Sequence, residues 1–134
     1  MPRKRSVFIS YDYQNDRHWK NLLLAWDRNS QFDFFISDYS ADLSINSRNA
    51  DSIKSVLSRY IREAPTFLVI VGEFTVQSNW VRWEIAKAIE LGRAVVAVKT
   101  ARENVTPPEL LGIGASWAQS FTFNAISKAL TEAI

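Results

Sequence analysis

Ser78-Asn79-Trp80-Val81-Arg82-Trp83-Glu84-Ile85-Ala86-Lys87 is the stretch of this sequence best equipped for chemistry. Trp80 and Glu84 stand four residues apart, a spacing that puts two side chains on one face of a helix. With a helix starting at Asn79 or Trp80, the positive end of the helix dipole favours an ionised carboxylate in the first turn or so, and Glu84 is expected to stay charged even when partly desolvated. A charged carboxylate beside a large flat aromatic suits a ligand that carries both a ring and developing positive charge. Spacing alone favours a plainer arrangement, with Trp80 packed on a loop and Glu84 paired to Lys87 or Arg82 on a solvated face.

Other chemistries lack their residues. The chain has no cysteine, which excludes disulfide scaffolds, zinc ribbons, iron–sulfur clusters and thiol nucleophiles. The single histidine, His18, cannot build a histidine metal site, and no metal is expected. Only four glycines occur, at 72, 92, 112 and 114. Neither G-x-G-x-x-G nor G-x-x-x-x-G-K-[ST] can be written with them, so a tight dinucleotide-fingerprint turn is ruled out. G-x-S-x-G is also absent, and His18 has no evident serine partner for a hydrolase triad.

The elements that must position Trp80 and Glu84 show in the hydrophobic pattern. Val7–Ser10 reads as a buried strand breaking into a loop. From Gln14 to about Arg28, Trp19, Leu22, Leu23 and Trp26 recur at three and four, the stripe of a helix. Phe34–Ile36 is a second short apolar run. Ser47 is placed to cap a helix running to Glu63, with Ile53, Val56, Leu57, Tyr60 and Ile61 inward, and Pro65 stops it. Thr66–Gly72 is apolar at every interior position, the mark of a parallel strand covered on both faces. A helix from Asn79 or Trp80 to Leu91 closes on Gly92, and Ala94–Val98 is another apolar strand. Phe121–Phe123 is expected to be a short edge strand, with Asn124 capping a last helix. Strands alternating with helices of this length give an α/β domain of flavodoxin-like type, a mostly parallel five-stranded sheet with helices on both faces. Ligands of such folds bind beyond the carboxyl ends of the strands, here after Ser10, Ser37, Gly72 and Val98. A phosphoryl-accepting signalling domain of this type needs an aspartate ending the third strand. Val71-Gly72-Glu73-Phe74 does not supply it.

At 134 residues the chain is expected to form one domain, residues 1–134, with a flexible basic tail over 1–5. Sixteen Lys plus Arg against fourteen Asp plus Glu, a net +2, is too even to predict nucleic-acid binding. The longest apolar run singled out, Phe67–Val71, is far below the roughly 18–20 residues that span a bilayer, and the N-terminal run is too short for a signal peptide. A soluble, cytoplasmic protein without nucleic-acid or membrane partners is expected.

Val7-Phe8-Ile9-Ser10-Tyr11, with Asp16 shortly after, resembles the opening strand and loop of TIR domains, and Trp80-x-x-x-Glu84 resembles their catalytic W-x-x-x-E helix. Asn79-Trp80-Val81-Arg82-Trp83-Glu84-Ile85-Ala86-Lys87-Ala88-Ile89-Glu90-Leu91-Gly92, followed by an apolar strand, is similar to the TIR-like ThsB branch of the bacterial Thoeris anti-phage system, as is Tyr13-Gln14-Asn15-Asp16. The likeness runs from about Ser6 to Lys99 and fades after Thr100. The loop Asp38–Ser44 lacks the Asp-x-x-Pro-Gly turn of many receptor-type TIR domains, which points to the bacterial branch.

The resemblance implies cleavage of the bond between nicotinamide and ribose in NAD, a substrate here and not a cofactor; no other cofactor is implied. It implies Glu84 as the catalytic carboxylate, Trp80 as a stacking pocket wall, and Ser10, Tyr11 and Asp38 lining the nicotinamide-riboside end. It further implies a cyclic ADP-ribose-type signal read by a separate effector, and self-association. Two alternatives stand beside it. One is a non-catalytic TIR-like interaction module. The other is an enzyme like the nucleoside deoxyribosyltransferases, which also sets a carboxylate at a glycosidic carbon. Ser10 and Asp38 have an ordinary alternative as loop caps, Tyr11 and Tyr13 as cover for the sheet edge, and Trp26 and Trp117 are expected in the core.

Overall fold

The computed structural model describes residues 5–27, 32–36, 45 and 47–133. Asp38 and the rest of the 38–44 loop lie outside the described residues. In chain order the elements are β1 (Arg5–Ser10), α1 (Tyr13–Trp26), β2 (Phe32–Ile36), α2 (Ala50–Glu63), β3 (Thr66–Val71), α3 (Asn79–Glu90), β4 (Ala94–Lys99), β5 (Ser116–Ala118) and α4 (Phe123–Glu132). Short 3-10 turns occupy Thr75–Gln77 and Pro108–Leu110. All four strand pairings are parallel, in the order β2-β1-β3-β4-β5. This is the α/β fold with helices on both faces that the pattern of alternating strands and helices predicts.

The period-two alternation of each strand sorts its side chains between two cores. Val7 and Ile9 of β1, Leu68 and Ile70 of β3, and Val96 and Val98 of β4 face Leu23 of α1 and Ile126, Ala129 and Leu130 of α4. Phe8, Phe67, Val69, Val71, Val95 and Ala97 face Leu57 and Ile61 of α2 and Val81, Ile85 and Ala88 of α3. The register sets Phe8 beside Phe67, and their rings stack at 5.7 Å. Every residue of β3 is buried, as its unbroken apolar run requires.

Several local expectations are corrected. Arg5 is the first residue of β1, not part of a tail, and its guanidinium donates to the Leu130 carbonyl at 2.8 Å. Ser47 does not cap α2: Asn49 is the N-cap, without a side-chain bond, and the buried Ser47 hydroxyl has no hydrogen-bond partner among the described residues. The fifth strand is Ser116–Ala118, and Phe121–Phe123 instead leads into α4. There Thr122, not Asn124, accepts the capping bond from Ala125 N–H, because the helix begins one residue before Asn124. Trp117 is 39% exposed on the edge strand, whereas Trp26 packs against the first core. Gly92 closes α3 with φ +71° as expected. No helix among the described residues is long and apolar enough to cross a membrane.

The order reverses between β1 and β3, where one crossover leads outward to β2 and the next passes back across β1. At that point α1 comes against the end of β3. Its path is broken at Asp16, whose φ and ψ of −118° and 16° are non-helical, and the Asp16 carboxyl is buried against Gly72. A Cβ at position 72 would lie 2.0 Å from Asp16 Oδ2. Gly72→Ala is therefore expected to destabilise the protein by about 1–3 kcal/mol in urea unfolding. In an Asp16→Ala background the cost is expected to be smaller by at least about 1 kcal/mol, the coupling of two side chains that compete for one space.

Candidate functional site

Ser10 ends β1, and the alternation that sends Phe8 toward α2 and α3 sends Ser10 the same way. On α3, Ser78 caps the helix by accepting from Val81 N–H at 3.3 Å, so Trp80 falls in the first turn and Glu84 in the second. This brings Glu84 over the end of β1. The Ser10 hydroxyl donates to Glu84 Oε1 at 2.7 Å, and both residues are buried.

The arrangement excludes the plainer sequence reading, in which Glu84 pairs with Lys87 or Arg82 on a solvated face. Arg82 instead forks onto Glu109, with Nε at 3.0 and 2.9 Å from its two oxygens, and Lys87 pairs with Glu90. Glu84 is not on a solvated face. The expectation that it stays ionised is corrected as well, because burial pushes its carboxyl from 4.5 up to about 8, with the Ser10 hydrogen bond opposing the shift. The helix dipole fades within the first turn, and Glu84 lies one turn too deep to benefit from it.

Trp80 is half-buried against the α2–α3 core, its ring edge-on to Trp83 at 6.1 Å. Tyr11 goes elsewhere. It is buried in the opposite core, 6.4 Å from the Tyr13 ring and with Lys20 Nζ 5.3 Å over its face. One residue after Ser10, the strand's alternation carries it to the α1 side, so it does not join Ser10 and Glu84. Asp38 lies outside the described residues.

A second polar cluster at the same sheet edge went unread in the sequence. Thr75 Oγ1 accepts from Gly72 N–H at 2.7 Å and lies 3.4 Å from Asp16 Oδ2 and 3.3 Å from the Ile70 carbonyl. Burial and the neighbouring Asp12 raise the Asp16 carboxyl to about 6, with Thr75 and His18 opposing and Glu73 adding a little. Asn104 ties the loop after β4 to this edge, donating to the Val71 carbonyl and to Thr100 Oγ1, both at 2.9 Å. The polar residues after a buried apolar strand were the available signal, but which of them turns inward depends on the 3-10 turn. Among the described residues no group of three or more His, Asp or Glu could hold a metal ion.

A family model for the TIR-like domain of the Thoeris protein ThsB matches residues 8–104, from β1 through α3 and β4. The chain belongs to that family. The match ends close to where the sequence likeness fades, so in this ThsB-type chain β5 and α4 lie beyond the matched segment. Among solved structures, the TIR domains of the activated Roq1 resistosome directly recognizing the pathogen effector XopQ are 24% identical with a TM-score of 0.50, over 72% of this chain and 57% of that one. The chain thus spans little more than half of that neighbour. A 2-desoxiribosyltransferase from Leishmania mexicana is 13% identical with a TM-score of 0.62, over 96% of this chain and 97% of that one. A conserved protein from Enterococcus faecalis V583 is 14% identical with a TM-score of 0.53, over 75% and 66%. These neighbours share the fold. No curated protein matches the chain.

The raised carboxyls make stability depend on pH. Unfolded, Glu84 titrates near 4.5, and folded near 8. Between those values the unfolded chain has released a proton that the folded chain keeps, so stability falls as pH rises, and Asp16 adds to the slope from 3.8 to about 6. The urea midpoint of the wild type is expected to drop between about pH 5 and 8, with Glu84 contributing up to about 1.4 kcal/mol per pH unit. Glu84→Gln, which keeps the shape and cannot ionise, is expected to flatten that slope and to be the more stable protein near pH 8.

Proposed function

We propose that this TIR-like protein cleaves the nicotinamide–ribose bond of NAD, with Glu84 as the catalytic carboxylate. The observation that carries the proposal is the buried pair of Ser10 and Glu84 at the carboxyl end of β1, beside the reversal of strand order. Membership of the ThsB-type family supports it. When the glycosidic bond breaks, its electron pair leaves with nicotinamide as a neutral base, so little general acid is needed. What remains is an oxocarbenium ion on the ribose, and a fixed carboxylate stabilises it best in a desolvated setting.

The pushed-up carboxyl of Glu84 fits this role when the substrate's charge is included. Bound NAD brings a positively charged pyridinium ring and ribose hydroxyls that donate hydrogen bonds, and both favour the ionised carboxylate. Ser10 already donates to one oxygen and orients the group. Trp80 stacks as a wall, and Asp38 contributes from the loop after β2. Tyr11 supports the loop from the other face of the sheet.

The ribosyl cation can be captured by water, giving ADP-ribose, or by a nucleophile of the same molecule that loses its proton on attack, giving a cyclic nucleotide. We assign the second outcome, a cyclic ADP-ribose-type signal for phage defence that a separate effector reads, made in the cytoplasm by a self-associating TIR-like domain. A second reading is favoured by the nearly full-length overlap with a deoxyribosyltransferase. It places the same carboxylate at the glycosidic carbon of a deoxynucleoside.

Pure protein at high concentration, with and without phage-infected lysate, is expected to release nicotinamide from NAD, and Glu84→Gln to reduce release at least about 100-fold while remaining folded. Product mass separates cyclase from hydrolase. Base exchange on deoxynucleosides without NAD turnover selects the second reading, and no turnover of either substrate leaves the interaction module. Because the free carboxyl must lose its proton, kcat/KM is expected to climb about tenfold per pH unit and to level off near the Glu84 value of about 8.

A further inference from the structure

Beyond the last two strands the carboxyl edge opens into a groove of about 780 Å³, a volume that suits a small organic ligand. Leu110 and Ala118 are buried at its base, while Trp117 and Leu111 are exposed at 39% and 65%. Lys99, the last residue of β4, and Arg102, in the loop that follows, supply two positive charges. Among the described residues no aspartate or glutamate lines the groove. Among the described residues neither Lys99 nor Arg102 forms an ion pair with a carboxylate; the Lys99 ammonium instead stands 5.9 Å over the Trp117 ring.

Two cations with no carboxylate partner among the described residues, beside a partly exposed indole and hydroxyl or amide groups from Thr100, Thr106 and Gln119, match one ligand chemistry. A phosphate uses the cations, through charge-assisted hydrogen bonds. A flat heterocycle uses the indole face, covering apolar surface that the fold leaves to water. Either part alone leaves half the groove unmet. We propose that this groove binds a nucleoside phosphate, with its ring on Trp117 and its phosphates between Lys99 and Arg102. The site lies two strand positions from β1 in the sheet order, and the inference does not rest on NAD cleavage. The nucleotide is either the ADP half of a dinucleotide whose other end reaches Glu84 or a separate molecule.

Calorimetric titration of the whole protein with ADP tests this. ADP is expected to saturate one site, with adenosine and inorganic pyrophosphate each binding at least about tenfold more weakly. Lys99→Gln combined with Arg102→Gln, and separately Trp117→Leu, are expected to weaken ADP at least about tenfold. Glu84→Gln is expected to leave ADP affinity within about twofold, whether or not the protein turns over NAD. Titrating NAD into Glu84→Gln separates the two sources: displacement of ADP identifies the groove as the seat of the dinucleotide's ADP half, and simultaneous saturation identifies a separate nucleotide. Absence of saturable ADP binding overturns the proposal, as does ADP affinity unchanged by the Lys99, Arg102 and Trp117 substitutions.

Discussion

A carboxyl group buried against a serine hydroxyl sets the terms for this protein. Transferring an ionised carboxylate into an apolar setting is costly unless other groups compensate, and Glu84 has the Ser10 hydroxyl. The group therefore holds its proton at neutral pH, and the core built by Phe8, Phe67 and Ile85 is part of the burial that raises it. Stability is linked to that one proton, and it falls as pH rises between about 4.5 and 8.

The same sheet edge shows how strand alternation divides labour. Ser10 and Tyr11 are adjacent in sequence and end on opposite faces, one at the Glu84 carboxyl and the other under α1 with Lys20. Asp16 belongs to the second group. Its carboxyl reaches Gly72 and Thr75 through a break in α1, so the end of β3 is held by polar contacts from α1 on one side and by Asn104 on the other. The turn at Pro108–Leu110 is tied to α3 through Arg82 and Glu109. The helix carrying Glu84 and the loop bordering the groove thus share a fixed joint.

Much of the fold was legible because its strands are short, apolar and β-branched, and its helices carry stripes at three and four. β3 and α3 follow directly from Thr66–Val71 and from Ser78 through Gly92. What escaped was governed by side-chain direction and depth. Ser47 and Thr122 are equally good caps by type, and only the helix start decides which is used. Phe121 and Phe123 look like strand residues, yet pack as helix-entry aromatics against Trp19 and Phe32. The sequence placed Trp80 and Glu84 on one helix, while the burial and charge state of Glu84 were not legible, because they depend on what α3 packs against. Tyr11 shows what alternation adds: one residue after Ser10, it packs in the core on the other face of the sheet.

The parallel order also governs how the chain comes together as it is made. β1 pairs with β2 and with β3, and the second pairing joins Val7 to Thr66 across the whole of α1, β2 and α2. Pairings so distant in sequence close slowly. During synthesis Val7, Phe8 and Ile9 wait without their central neighbour until β3 has emerged, an interval in which an apolar strand is open to wrong partners. Ser10 waits longer still, since its carboxyl partner arrives on α3. The interior of the sheet is therefore completed from the middle of the sequence, and the Ser10–Glu84 pair can form only after that interior exists.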